Sequence, residues 1–195
     1  MSGLRRLVVP LAISALALAA LSGCVPTPTP TPSGTTSTTP SDTPSASSTP
    51  SPTATTVSTP ITIDCNTLIS PDDIYAFNPN FGLITAWTPK AGSAAATAKS
   101  EQGIACRWQN QTSGDTMDFS AAHLDPATID SLKNAAVEKS TMVPTYGDEA
   151  YFSVSGGVGT AIVFQGDFWL VATSVDFLEP GDPADLIDAA LGALK

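Results

Sequence analysis

GTAIVFQGDFWLVATSVDF, Gly159 to Phe177, holds the pattern that decides the fold. Two apolar runs, Gly159 to Gln165 and Phe168 to Phe177, flank Gly166-Asp167, a tight-turn signal between paired strands. In the second run Trp169, Val171, Val175 and Phe177 alternate onto one face, and Phe168, Leu170 and Ala172 onto the other. A strand that is apolar on both faces belongs at the centre of a sheet or under cover on both sides. The sequence around it therefore has to supply both neighbouring strands and covering helices.

It supplies both. Upstream, Glu149 to Val154 reads as a third strand, joined to Gly159 through the turn Ser155-Gly156-Gly157. Ile104, Cys106 and Trp108 alternate onto one face of a further strand. The turn Thr112-Ser113-Gly114-Asp115 leads that strand into a hairpin partner, Met117 to Leu124. Phe81 to Trp87 has the composition of a short strand. Ser70-Pro71-Asp72-Asp73 combines a capping hydroxyl, proline at the first helical position and acids facing the dipole, so a helix is expected to about Phe77. Ser93 to Gln102 is an alanine-rich helix ended by Gly103, and Asp125-Pro126 starts another that runs to about Lys139. Asp182-Pro183 opens a last helix, with an apolar stripe of Leu186, Ile187, Ala190, Leu191 and Leu194. The expectation is one α+β domain over residues 61–195: an antiparallel sheet of about five strands, helices packed on it, and one disulfide.

The N-terminus has a different logic. Arg5 and Arg6 precede fifteen mostly apolar residues, Leu7 to Leu21, and Leu21-Ser22-Gly23-Cys24 closes the run. A spanning helix needs roughly 20 apolar residues, and Pro10 interrupts this shorter one. The layout is that of a signal peptide over residues 1–23, and its last four residues resemble a bacterial lipobox at every position. Small Ser22 and Gly23 admit an extended chain to a peptidase, and the Cys24 thiol is the nucleophile that takes up lipid. On that resemblance Cys24 is the mature N-terminus and the lipid-attachment residue, with a palmitate-class acyl chain beside the diacylglyceryl group. Two such chains anchor durably where one does not. An ordinary secretory signal with a chance cysteine is the alternative. Arg5-Arg6 also raises twin-arginine export, although Leu7-Val8-Val9 matches that signal poorly.

Residues 24–60 follow as a linker. From Val25 to Pro60, 30 of 36 residues are Pro, Thr or Ser, so no apolar periodicity exists to offset the entropy of ordering. Such a segment is expected to be a disordered stalk with polyproline II character and a reach on the order of 100 Å when extended. Its threonines permit O-glycosylation.

Of the 18 acidic and 8 basic side chains, all but Asp42, Arg5 and Arg6 fall in the domain, giving it a net charge of −11. Nucleic acid requires a basic footprint, so it is excluded as a partner; anionic headgroups are disfavoured for the same reason. With Cys24 lipidated, Cys65 and Cys106 remain. In an exported chain an even remainder points to a disulfide. Metal binding by two lone cysteines lacks histidine neighbours, and redox catalysis would favour a Cys-x-x-Cys motif.

Several of these motifs occur together: Cys65 ahead of the Ser-Pro-Asp-Asp helix start, Cys106-x-Trp108 on a strand, Gly147-Asp148-Glu149-Ala150-Tyr151, and paired C-terminal strands before a terminal helix. In this the domain, over most of residues 63–194, resembles the uncharacterised actinobacterial lipoproteins of domain-of-unknown-function family 3558. The resemblance implies a secreted, disulfide-bonded domain and brings no catalytic residues with it.

Candidate chemistry is sparse. His123 is the single histidine, which excludes metal sites built on histidine pairs, and no Gly-x-Ser-x-Gly elbow accompanies it. Asp72 with Asp73, and Asp182 with Asp185 and Asp188, lie at helix starts, where the dipole stabilises acids without any function; no EF-hand spacing occurs among them. Gly156-Gly157-Val158-Gly159 lacks the lysine of a phosphate loop. Trp87, Trp108 and Trp169 are core residues by default, with a ligand cleft as the alternative. Asp148, Glu149 and Tyr151 form the candidate binding surface, an acidic pair entering a strand beside a phenol; turn and strand entry is the plainer account. No catalytic residue, metal ligand or cofactor is assigned.

The expected protein is a lipoprotein on the outer face of the bacterial cytoplasmic membrane. It acts as a non-catalytic binding or accessory domain on an envelope protein or small ligand. An extracytoplasmic enzyme and a passive envelope-structural protein are the alternatives. Replacing Cys24→Ser is expected to release the domain from membranes, as read by detergent partitioning and intact mass. A native mature N-terminus without lipid would show the anchor assignment to be wrong.

Overall fold

The computed structural model describes residues 58–195. The signal peptide, Cys24 and the linker up to residue 57 lie outside the described residues. Among the described residues no helix is long and apolar enough to cross a membrane.

In chain order the elements are α1 (Cys65–Leu68), α2 (Pro71–Phe77), β1 (Phe81–Ile84), α3 (Ala94–Ser100), β2 (Ile104–Asn110), β3 (Thr116–His123), α4 (Pro126–Val137), β4 (Thr141–Met142), β5 (Glu149–Ser155), β6 (Val158–Gln165), β7 (Phe168–Ser174) and α5 (Ala184–Ala193). The strands form one antiparallel sheet in the order β1-β2-β3-β7-β6-β5-β4. The α+β class holds, but there are seven strands rather than about five. Two-residue β4 is too short to show any alternation, and both its side chains are exposed.

The doubly apolar strand is β7, and it lies in the middle of the sheet, between β3 and β6. Its two faces feed two cores. Leu170 and Ala172 join Cys106, Trp108, Phe119 and Val163 under α1, α2 and α5. Trp169 and Val171 join Ala122, Tyr151, Phe164, Ala98 and Ile129 under α3 and α4. The sheet is thus a middle layer covered by helices on both sides.

Helix starts follow the local signals. Ser70 Oγ accepts from the Asp73 amide at 3.2 Å, with Pro71 in the first turn of α2. Ser93 caps α3, and Asp125 accepts from the amides of Ala127 and Thr128 ahead of Pro126. Asp182 differs from expectation. Helix α5 has no side-chain cap; instead Asp182 Oδ2 accepts from the amides of Leu178 and Glu179, at 2.7 and 2.8 Å, and ties the preceding loop.

The face expected for Phe177 is also corrected. Strand β7 ends at Ser174, so Val175 is partly exposed and Phe177 turns into the first core. There it meets Phe77 and Phe119 edge-on, at 5.9 and 6.3 Å between ring centroids. This route passes directly over Gly159, where a Cβ would stand 1.8 Å from the Phe177 carbonyl oxygen. Only glycine leaves the backbone that room.

Cys65 and Cys106 form the disulfide, at a Cα separation of 5.6 Å and 41 residues apart in sequence. It fastens α1 to β2 just after the chain enters the fold, where Thr59 N donates to His123 O and Ile61 N to Gln102 O. Closing a loop of this length stabilises by about 4 kcal/mol in the chain-entropy model. Replacing both cysteines by serine is expected to lower Tm by about 10 °C or more while leaving the circular dichroism of the folded state unchanged. Two free thiols in non-reducing peptide maps of native protein would refute the bridge.

Candidate functional site

The stretch Gly147 to Tyr151 enters β5. Gly147 adopts φ +67°, and a side chain there would collide with Val163 and the Phe164 carbonyl. That turn aims Asp148 across the sheet, where its Oδ2 accepts from the Gly166 amide at 2.8 Å. Asp148 thus braces the β6–β7 turn from an exposed position.

Glu149 and Tyr151 both point to the second face. The Tyr151 hydroxyl donates to Glu149 Oε1 at 2.5 Å, and Lys133 Nζ of α4 lies 2.9 Å from Glu149 Oε2. Lys133 also sits 5.5 Å from the centre of the Phe164 ring. The Tyr151 hydrogen bond, then Lys133, hold the Glu149 carboxyl below its ordinary pKa. Donation to Glu149, reinforced by burial, pushes Tyr151 up to about 12. Near neutrality the carboxylate stays ionised with both oxygens occupied, and the phenol keeps its proton. This is a clamp joining α4 to the sheet. Tyr151 is 2% exposed and contributes almost nothing to a surface.

His123 does not join them. On β3 it alternates with Ala121, Phe119 and Met117, whose side chains lie in the first core, whereas Tyr151 lies in the second. The sheet therefore separates the imidazole from the Glu149–Tyr151 pair. The His123 ring meets Phe168 edge-on at 4.8 Å and lines a 200 Å³ cavity with residues 59–63 and the end of α5.

Packing of α2 against α5 brings Asp73 to Asp182 and Asp185 around a cleft of 290 Å³. Among the described residues no group of three His, Cys, Asp or Glu side chains is placed to hold a metal ion. Tyr146, 3% exposed in the first core, has a hydroxyl with no partner among the described residues, and burial pushes it up to about 12.

The three tryptophans part company. Trp108 and Trp169 are buried in opposite cores. Trp87, in the loop after β1, is half-buried, with the Arg107 guanidinium 4.1 Å from its ring centre. Arg107 is in turn gripped by Asp118 through two bonds of 2.6 Å, Nε to Oδ1 and Nη2 to Oδ2. Sequence reading passed over this assembly. The Arg107–Asp118 half was accessible from the β2–β3 hairpin, where the two residues sit directly opposite; the approach of Trp87 was not. The same row continues through Thr173, Thr160 and Ser153, all partly exposed, so this part of the second face is polar and uncovered.

No family model, curated protein or solved structure matches the chain.

Because its folded pKa is depressed, Glu149 contributes stability above the ordinary glutamate range that is lost as pH falls through the lowered value. Tyr151→Phe is expected to cost about 1.5 kcal/mol at neutral pH, with the deficit shrinking below about pH 4. The Glu149 carboxyl should titrate higher in the variant. Carboxyl-detected NMR measures this, and an unshifted titration would show that the clamp does not exist.

Proposed function

We propose that the chain is a lipid-anchored, non-catalytic binding or accessory domain on the outer face of the bacterial cytoplasmic membrane. In this reading it is akin to the lipoproteins of family 3558 and works on an envelope protein or small ligand. The observation that carries the reading is how the chemistry-bearing side chains are disposed. The Glu149 carboxylate is occupied by Tyr151 and Lys133, Asp118 is committed to Arg107, and His123 lies across the sheet from Glu149. An acid–base pair needs two proton-exchanging groups converging in one cleft, and among the described residues no Asp or Glu side chain joins His123 in lining its cavity, whereas a recognition domain needs a stable scaffold and an accessible surface. The lipobox and the Pro/Thr-rich stalk support display of that scaffold away from a bilayer.

The test is crosslinking on intact cells, followed by pull-down and mass spectrometry of both proteins and small molecules, with Cys24→Ser as the unanchored control. A defined partner enriched over an unrelated anchored domain, and reduced by Cys24→Ser, is the expected result. Turnover of a captured small molecule by the purified chain would instead establish an enzyme.

A further inference from the structure

Two clefts adjoin along the edge strand β1. One, of 270 Å³, lies between α2 and β1 and has Tyr75 at its rim. The other, of 340 Å³, lies past the end of β1 and has Trp87 in its wall. Asn66 and Leu83 line both, so the two clefts share a wall, and together they form a groove site with an aromatic ring in each part. Each is near the lower limit of about 300–1,000 Å³ typical of ligand pockets.

We propose that this groove binds a neutral glycan chain, with Trp87 as the stacking platform for one sugar ring. The proposal deepens the binding-domain reading and rests on it. Its basis is the way Trp87 is held. Asp118 grips Arg107 through both carboxylate oxygens, and Arg107 backs the indole, a stacking that guanidinium groups favour. A surface aromatic immobilised before binding loses little further freedom when a ligand arrives. Tyr75, 69% exposed, offers the second aromatic surface. Between the rings stand the amide of Asn66 and, beside Trp87, the hydroxyl of Thr85, groups that both donate and accept hydrogen bonds, as sugar hydroxyls do. Aromatic rings with a few polar groups match a sugar's apolar face and hydroxyl rim.

Charge selects within that class. Asp64 lies on the wall, and the domain carries a net −11. Arg107, stacked on Trp87, already holds Asp118. A phosphate- or carboxylate-bearing polymer would therefore meet repulsion with no free guanidinium to hold it. A peptide added to β1 as a further strand would have four residues of edge to pair with.

The experiment uses the full chain in a sugar-free detergent, titrated with short neutral oligosaccharides of glucose, mannose, galactose, arabinose or N-acetylglucosamine. Calorimetry and tryptophan fluorescence are the readouts. At least one is expected to bind saturably, and Trp87→Ala to weaken it about tenfold or more. Trp87→Phe should keep affinity within about threefold while the fluorescence change shrinks to what Trp108, in the wall of the first cleft, still reports; Trp169 lies in the opposite core. Tyr75→Ala and Asn66→Ala should each weaken binding severalfold with unchanged melting curves, and oligogalacturonate should bind more weakly. The proposal is overturned if no neutral oligosaccharide saturates, if Trp87→Ala binds as the parent does, or if a Thr-Pro repeat peptide binds in preference. If the groove fails while crosslinking still captures an envelope partner, only the glycan assignment falls; the binding-domain reading stands.

Discussion

The seven-residue ladder between β3 and β7, from Met117 against Ser174 to His123 against Phe168, joins the two halves of the sheet. To one side lie β1, β2 and β3; to the other lie β7, β6, β5 and β4. Apart from β1, which reaches β2 across a connection containing α3, each half is built from local hairpins that form at little cost in loop closure, whereas this ladder joins residues on either side of α4 and three strands. Local hairpins are marginal alone, and neither core is complete without this seam. Phe119 and Leu170 supply the first core from either side of it, and Ala122 and Trp169 the second. The helices on both faces therefore depend on one non-local pairing.

The chain's entry point is tied down as well. The disulfide, the Thr59–His123 bridge and the Ile61–Gln102 hydrogen bond hold the first described residues against the sheet. Fraying starts at domain ends unless something ties them down, and here three ties act within a few residues of one another.

Polar groups divide into those that brace the fold and those left at its rim. Asp148 holds a turn, Glu149 joins α4 to the sheet, Asp125 caps a helix and Asp182 ties a loop. The partly exposed Glu149 carboxylate, with Tyr151 and Lys133 both donating to it, is held in one orientation. Arg107 and Asp118 brace as well, but what they brace is an indole at the rim of a groove.

Much of the architecture was legible in the sequence because its causes are local. Caps at Ser70, Ser93 and Asp125 need only residues within a turn of the helix, and the alternation in Phe168 to Ser174 records burial on both faces wherever the strand lies. Cys65 and Cys106, the even pair left once Cys24 is read as a lipid site, point to a bridge from the sequence. Other features were not legible because their causes are distant in sequence. Two-residue β4 exists only because β5 offers it an edge. Phe177 changes faces because β7 stops at Ser174 and Gly159 leaves space beneath it. The Asp148-Glu149-Tyr151 stretch read as a surface because its spacing shows the strand but not Lys133, which arrives from α4 sixteen residues earlier. Local order thus followed from neighbouring residues. Which polar groups are occupied and which remain open was decided by tertiary packing, because hydrogen-bond partners and covering helices come from parts of the chain that spacing alone does not bring together.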